Sequence, residues 1–163
     1  MKSSKPVWVA AAAACGVALL GGLMTDIGAW YLALRQPAWK PPDWLFGPAW
    51  TLIFALAAAA GVKAWRRAPT QADREWLLAL FALNGFLNVL WSLLYFRLRR
   101  PDWALAEVGL LWLSIALLML VLWRYARPAT WLLLPYLLWV TFAAVLNWTT
   151  VQLNGPFAMA MAP

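Results

Sequence analysis

Five stretches of the chain are predominantly apolar. They cover residues 7–25, 44–65, 76–96, 103–123 and 131–151. Each is roughly 20 residues long, and at about 1.5 Å rise per residue a helix of that length crosses a hydrocarbon core of about 30 Å. None alternates polar and apolar residues with period two, as a lipid-facing barrel strand would. The pattern predicts an all-α integral membrane protein, a bundle of five transmembrane helices.

Three short joints support that division: AWRRAPTQADREW, FRLRRPDW and WRYARPATW. Each contains Pro and Arg and is flanked by Trp or Phe. Pro disfavours helix continuation, and Arg and Trp favour the headgroup region. Short joints predict antiparallel helices as neighbours in one bundle. No repeat or linker divides the chain, so 1–163 reads as a single transmembrane domain. The first run could imitate a signal peptide, but its 18 residues from Val7 to Met24 predict a retained first span.

The joint between the first two runs is different. WYLALRQPAWKPPDWLFGPAW, Trp30 to Trp50, puts four Trp and four Pro into 21 residues. Pro restricts the backbone and lowers the entropy lost on ordering. A structured loop is expected here, acting as the cover of a site.

Composition sharpens this picture. The chain is 65% hydrophobic and 12% charged, so a globule of this size cannot bury its apolar surface and the bilayer must solvate it. The net charge of +7 lies in the joints, which fits anionic headgroups rather than a nucleic-acid groove. Eight basic residues (Lys2, Lys5, Lys63, Arg66, Arg67, Arg74, Arg124, Arg127) fall on the side of the N-terminus and five (Arg35, Lys40, Arg97, Arg99, Arg100) on the other. This favours a cytoplasmic N-terminus, with the Trp30–Trp50 loop facing outward. There is no His, which excludes His-ligated haem and every Ser-His or Cys-His nucleophile, and the one Cys, Cys15, allows no intrachain disulfide.

Of the 14 Trp, those at span ends read as an aromatic belt. Trp50, Trp91, Trp112 and Trp139 lie too deep for that. In the third run Asn84, Asn88, Trp91 and Tyr95 are spaced by 4, 3 and 4 and share one helix face. An amide cannot face lipid unsatisfied, so this stripe meets protein, water or a ligand, and spacing alone does not choose. The fifth run repeats the theme with Pro135, Trp139, Phe142, Ala143, Leu146 and Asn147. Small residues recur at i+4 in the first run (Ala10, Ala14, Ala18, Gly22) and the second (Gly47, Thr51, Ala55, Ala59), which predicts close packing or self-association. Glu107 falls about one turn into the fourth run, where an interfacial position is expected, and no carboxylate pair offers acid–base chemistry.

These residues resemble the TspO/MBR family of tryptophan-rich sensory and translocator proteins. In the first loop Trp30, Tyr31, Pro37, Trp39, Pro41, Pro42, Trp44, Phe46 and Trp50 match the family pattern. Asn88 and Trp91 match it in the third run, and Pro135, Tyr136, Trp139, Phe142, Ala143, Leu146 and Asn147 in the fifth. The resemblance implies a five-helix bundle, usually a homodimer, in a membrane that is expected to be the bacterial cell membrane, with the outer membrane as the alternative. It implies a receptor-type protein that needs no cofactor or metal and takes protoporphyrin IX and other flat hydrophobic ligands. The implied pocket is lined by Tyr31, Trp39, Trp50, Phe54, Asn84, Asn88, Trp91, Trp139, Phe142 and Ala143. Light-dependent porphyrin breakdown is implied as an alternative, with Trp50 and Trp139 as its residues, and transport of porphyrin or lipid ranks third. Two departures stand out: Asn84 where Gln is common, and Gln36 where Lys is common. The stretch AAVLNWTTVQLNG lacks the Tyr and basic residue of a sterol-recognition motif.

Overall fold

A computed structural model describes residues 4–157. Among them, five helices are long and apolar enough to cross a membrane, and there are no strands. They are α1 (Lys5–Met24), α3 (Asp43–Arg67), α4 (Gln71–Ser92), α5 (Pro101–Tyr125) and α6 (Arg127–Asn154), with a short helix, α2 (Ala29–Ala33), in the first loop. Lys2, counted above on the N-terminal side, and both ends of the 1–163 domain lie outside the described residues.

The helices outrun their apolar cores for local reasons. Thr70 and Asp73 form a reciprocal capping box, Asp73 N–H donating to Thr70 Oγ1 and Thr70 N–H to Asp73 Oδ2, each at 3.1 Å. That starts α4 well before the apolar run, at a motif stabilising by about 1 kcal/mol. Pro in the first turn opens α1, α5 and α6, where no intrahelical N–H is lost. The C-terminal end of α4 widens into a π turn, Leu93–Arg97, closed by Leu98 N–H to Leu93 O at 2.9 Å. Arg99, at φ 54°, then turns the chain toward α5.

The five spanning helices close a ring in which α1 touches α3 and α4, α3 touches α6, and α5 lies between α4 and α6. Its dry core is at the end remote from the first loop. Leu118, Leu122 and Leu133 there are fully buried with Ala60 and Ala64 of α3. The α3 and α4 helices meet near their own joint, where Gly61 faces the Phe81 ring at 3.6 Å from a would-be Cβ. At their other ends α3 and α4 are neighbours in sequence but packed mainly on α1, α5 and α6, an arrangement short joints do not foretell. No residue of α1 is fully buried. It approaches α4 at Gly85, where a Cβ would sit 2.9 Å from Val17 Cγ2.

Leu19, Leu110, Leu120 and Leu138 are exposed on the outside, as lipid-facing positions should be. Belt Trp carry basic neighbours: the Arg100 guanidinium lies 4.1 Å from the Trp103 ring, Arg127 5.3 Å from Trp123, and Arg74 5.6 Å from Trp65. Arg100 also binds the Asp102 carboxylate.

Glu107 is 5% exposed and turned into the bundle, and neither carboxyl oxygen has a hydrogen-bond partner among the described residues. A buried group left unmatched costs about 1–3 kcal/mol. Glu107→Leu, of similar volume, is expected to raise the melting temperature in detergent, and a fall would show that this carboxyl has a stabilising partner.

Candidate functional site: an aromatic cavity under the first loop

The loop is shaped by its own polar residues. Tyr31, on α2, is buried and donates its hydroxyl to Asp43 Oδ1 at 2.8 Å, and Lys40 Nζ binds the same oxygen at 2.5 Å. Burial, and then the adjacent Asp43 carboxylate, pushes the Tyr31 hydroxyl above its ordinary range, so it remains a donor. The Lys40 ammonium also lies 5.4 Å from the Tyr31 ring. Farther along, Asn154 at the end of α6 clasps the loop: Arg35 N–H donates to Asn154 Oδ1 at 2.7 Å, and Asn154 Nδ2 donates to Arg35 O at 2.9 Å. Pro37 and the turn closed by Lys40 N–H to Pro37 O (3.0 Å) follow directly.

Beneath this loop, between α1, α3, α4 and α6, lies a cavity of about 580 Å³. That is within the range of small-molecule sites, about 300–1,000 Å³. Its walls are mainly rings. Trp50 stacks on Phe54 (5.3 Å, 26°) and stands edge-on to Tyr136 (6.0 Å). Trp91 stacks on Tyr95 (5.0 Å, 28°), and Tyr95 and Phe96 are 4.8 Å apart. Trp139 is held between Phe46 (5.6 Å) and Phe142 (5.5 Å). These contacts fix ring orientation in advance. The α1 wall is made of small residues, Ala18, Gly21, Gly22 and Thr25.

Seven of the ten residues that the family resemblance implies for the pocket line this cavity: Tyr31, Trp50, Phe54, Asn88, Trp91, Trp139 and Ala143. Three do not. Trp39 is 47% exposed on the loop and packs edge-on against Phe142 at 5.8 Å. Phe142 supports Trp139 from behind. Asn84 is buried one turn deeper and donates to Ser114 Oγ at 2.8 Å, tying α4 to α5. Among the deep Trp, Trp112 also stands outside, its Nε1 donating to Thr141 Oγ1 at 2.9 Å.

The cavity also has lining residues that the spacing rules did not single out, among them Gln36, Asp43, Phe46, Ser92 and Phe96. Gln36 lies in the loop, where no periodicity operates, and Asp43 is the first residue of α3, ahead of the apolar run. Phe96 enters because the π turn sets it inward beside Tyr95.

The polar groups divide in two. Asn88 Nδ2 donates to Tyr136 Oη at 3.2 Å, and Asn147, with its amide oriented to satisfy both neighbours, donates to Pro101 O (3.0 Å) and accepts from Leu105 N–H (3.1 Å). These are spent on the bundle. Gln36 Nε2 and Trp139 Nε1 are buried without a protein partner. Among the described residues no group of His, Cys, Asp and Glu could hold a metal ion.

Five spanning helices around an aromatic cavity under the first loop define a multi-pass membrane protein. The chain matches the model of the TspO/MBR family over residues 8–153. It is 40% identical over 129 residues to the tryptophan-rich protein TspO of Chlorobaculum tepidum, covering 77% of this chain and 79% of that one. It is 36% identical over 145 residues to the tryptophan-rich sensory protein of Cereibacter sphaeroides, 87% of each. The translocator protein of Sus scrofa is 31% identical over 151 residues, 88% of this chain and 89% of its own. The chain belongs to the TspO/MBR family.

Proposed function

We propose that this protein is a receptor-type membrane protein that binds porphyrins, protoporphyrin IX among them, and related flat hydrophobic ligands in the cavity under its first loop. The observation that carries the reading is the set of Trp50, Trp91 and Trp139 around one cavity, each ring braced by another aromatic. A planar macrocycle gains about 0.5–1.5 kcal/mol per ring contact beyond the area it buries. The lining carries no His or Cys, which suits a metal-free macrocycle. In this reading the protein works as a homodimer in the bilayer, takes its hydrophobic ligand from the surrounding lipid and has no nucleic-acid partner.

Protoporphyrin IX in detergent is expected to quench Trp emission saturably. In the Trp50→Phe, Trp139→Phe double variant its affinity should fall about tenfold, since two indole contacts are curtailed and about 1.4 kcal/mol is tenfold. Equal affinity in that variant would sink the proposed pocket.

A second reading is favoured by one observation, that Trp50 and Trp139 line the same cavity. A photoexcited porphyrin held against an indole can exchange an electron with it, with dissolved dioxygen as the oxidant, and needs proximity rather than a general base. Illumination of the complex would then produce a new porphyrin-derived absorption band. Equal bleaching of the complex, the double variant and free porphyrin in detergent would reject this activity.

A further inference from the structure

We infer that Gln36 selects the ligand by donating a hydrogen bond to an oxygen acceptor on the ligand's loop-facing edge, a carbonyl or a carboxylate. The inference rests on the porphyrin-type binding proposed above and adds which chemical group on the macrocycle is read.

The lining of the cavity contains no Lys or Arg. Its one charged side chain, Asp43, is already taken by Lys40 Nζ and the Tyr31 hydroxyl. An ionic reading of the ligand from inside the cavity is therefore not available. Gln36, by contrast, lines the cavity, and its amide nitrogen is buried and meets no acceptor in the protein. A buried donor left unmatched costs about 1–3 kcal/mol, and a ligand oxygen placed at it recovers that cost on binding.

The backbone that carries the amide is also held in place. The preceding residue, Arg35, is clasped through its N–H and C=O by Asn154, and the following residue is Pro37. A residue before Pro is confined to extended backbone. The Gln36 backbone is thus held from both sides, beside the cavity that the residue lines.

A neutral donor accepts either a charged or an uncharged oxygen. The structure therefore implies that an ester is tolerated where an acid is, and that a macrocycle without any peripheral oxygen is disfavoured. Three probes separate these cases: protoporphyrin IX, its dimethyl ester, and etioporphyrin, which carries alkyl groups alone.

Titration by Trp quenching in detergent is expected to give the acid and ester affinities within about threefold of each other, and etioporphyrin roughly tenfold weaker, the size of one buried hydrogen bond. Gln36→Leu should lower acid and ester affinity by roughly tenfold and leave etioporphyrin unchanged. The Trp139 N–H remains in that variant, so the comparison isolates Gln36, and unchanged etioporphyrin binding reports an intact cavity. Gln36→Glu, which replaces two donors by acceptors, should weaken the acid more than the ester.

Gln36→Leu binding all three probes as the native chain does would overturn the inference and leave the binding site standing. So would a native preference for acid over ester of tenfold or more, which would mean a cation reads the ligand. If the native chain binds none of the three, the porphyrin reading itself fails, and this inference with it.

Discussion

Replacing Gly85 with Leu is expected to cost about 3 kcal/mol of stability and to weaken protoporphyrin IX binding by more than tenfold. The cause is the distance between α1 and α4. A Cβ at Gly85 already lies 2.9 Å from Val17 Cγ2, and Val is β-branched, with no free rotamer in a helix to yield into. A Leu there must push α1 away. Because α1 supplies Ala18, Gly21, Gly22 and Thr25 to the cavity, the damage reaches the site without touching an aromatic residue. Gly85→Ala should be milder, since the helix gains about 1 kcal/mol from losing a Gly while the contact strains. Thermal unfolding in detergent and Trp quenching check both effects. A Leu variant that melts with the native protein would mean that α1 is free to move off α4 at no cost.

Asn147→Leu should cost a similar amount, about 3 kcal/mol, by a different route. Asn147 is 1% exposed and joins α6 to the first turn of α5 through Pro101 O and Leu105 N–H. Leu fills the space but leaves both backbone groups without their side-chain partner. Asn147→Gln should recover little, because the longer amide cannot meet both groups at once. The measurement is again the melting temperature, together with hydrogen exchange over Pro101–Leu105. Exchange in that turn as slow as in the native chain would show that Asn147 is not its anchor.

The two variants mark what the sequence makes legible. The number, type and order of the spans follow from apolar runs of membrane length, because a bilayer leaves the backbone few alternatives. The ends were less legible. Thr70 and Asp73 extend α4 through polar residues by capping, which hydropathy does not register. In the site, period and chemistry placed Asn88, Trp91, Trp139 and Ala143 on inward faces. The same rules placed Asn84 there, since an amide that faces a ligand and one that faces Ser114 leave the same trace in a helical pattern. Gln36 had no helical face to be read from. The burial of Glu107 was illegible because one turn from a helix start is compatible with either the headgroups or the interior.

The π turn at Leu93–Arg97 acts as a local reservoir of chain. It holds one residue more than a regular helix would over the same rise. The surplus is absorbed within the turn, so Asn88 and Trp91 before it keep the faces an uninterrupted α-helix would give them. Deleting one residue there would restore the ordinary winding and leave those faces where they are. The change would fall instead on Tyr95 and Phe96, the sequence neighbours that the turn sets together against the cavity.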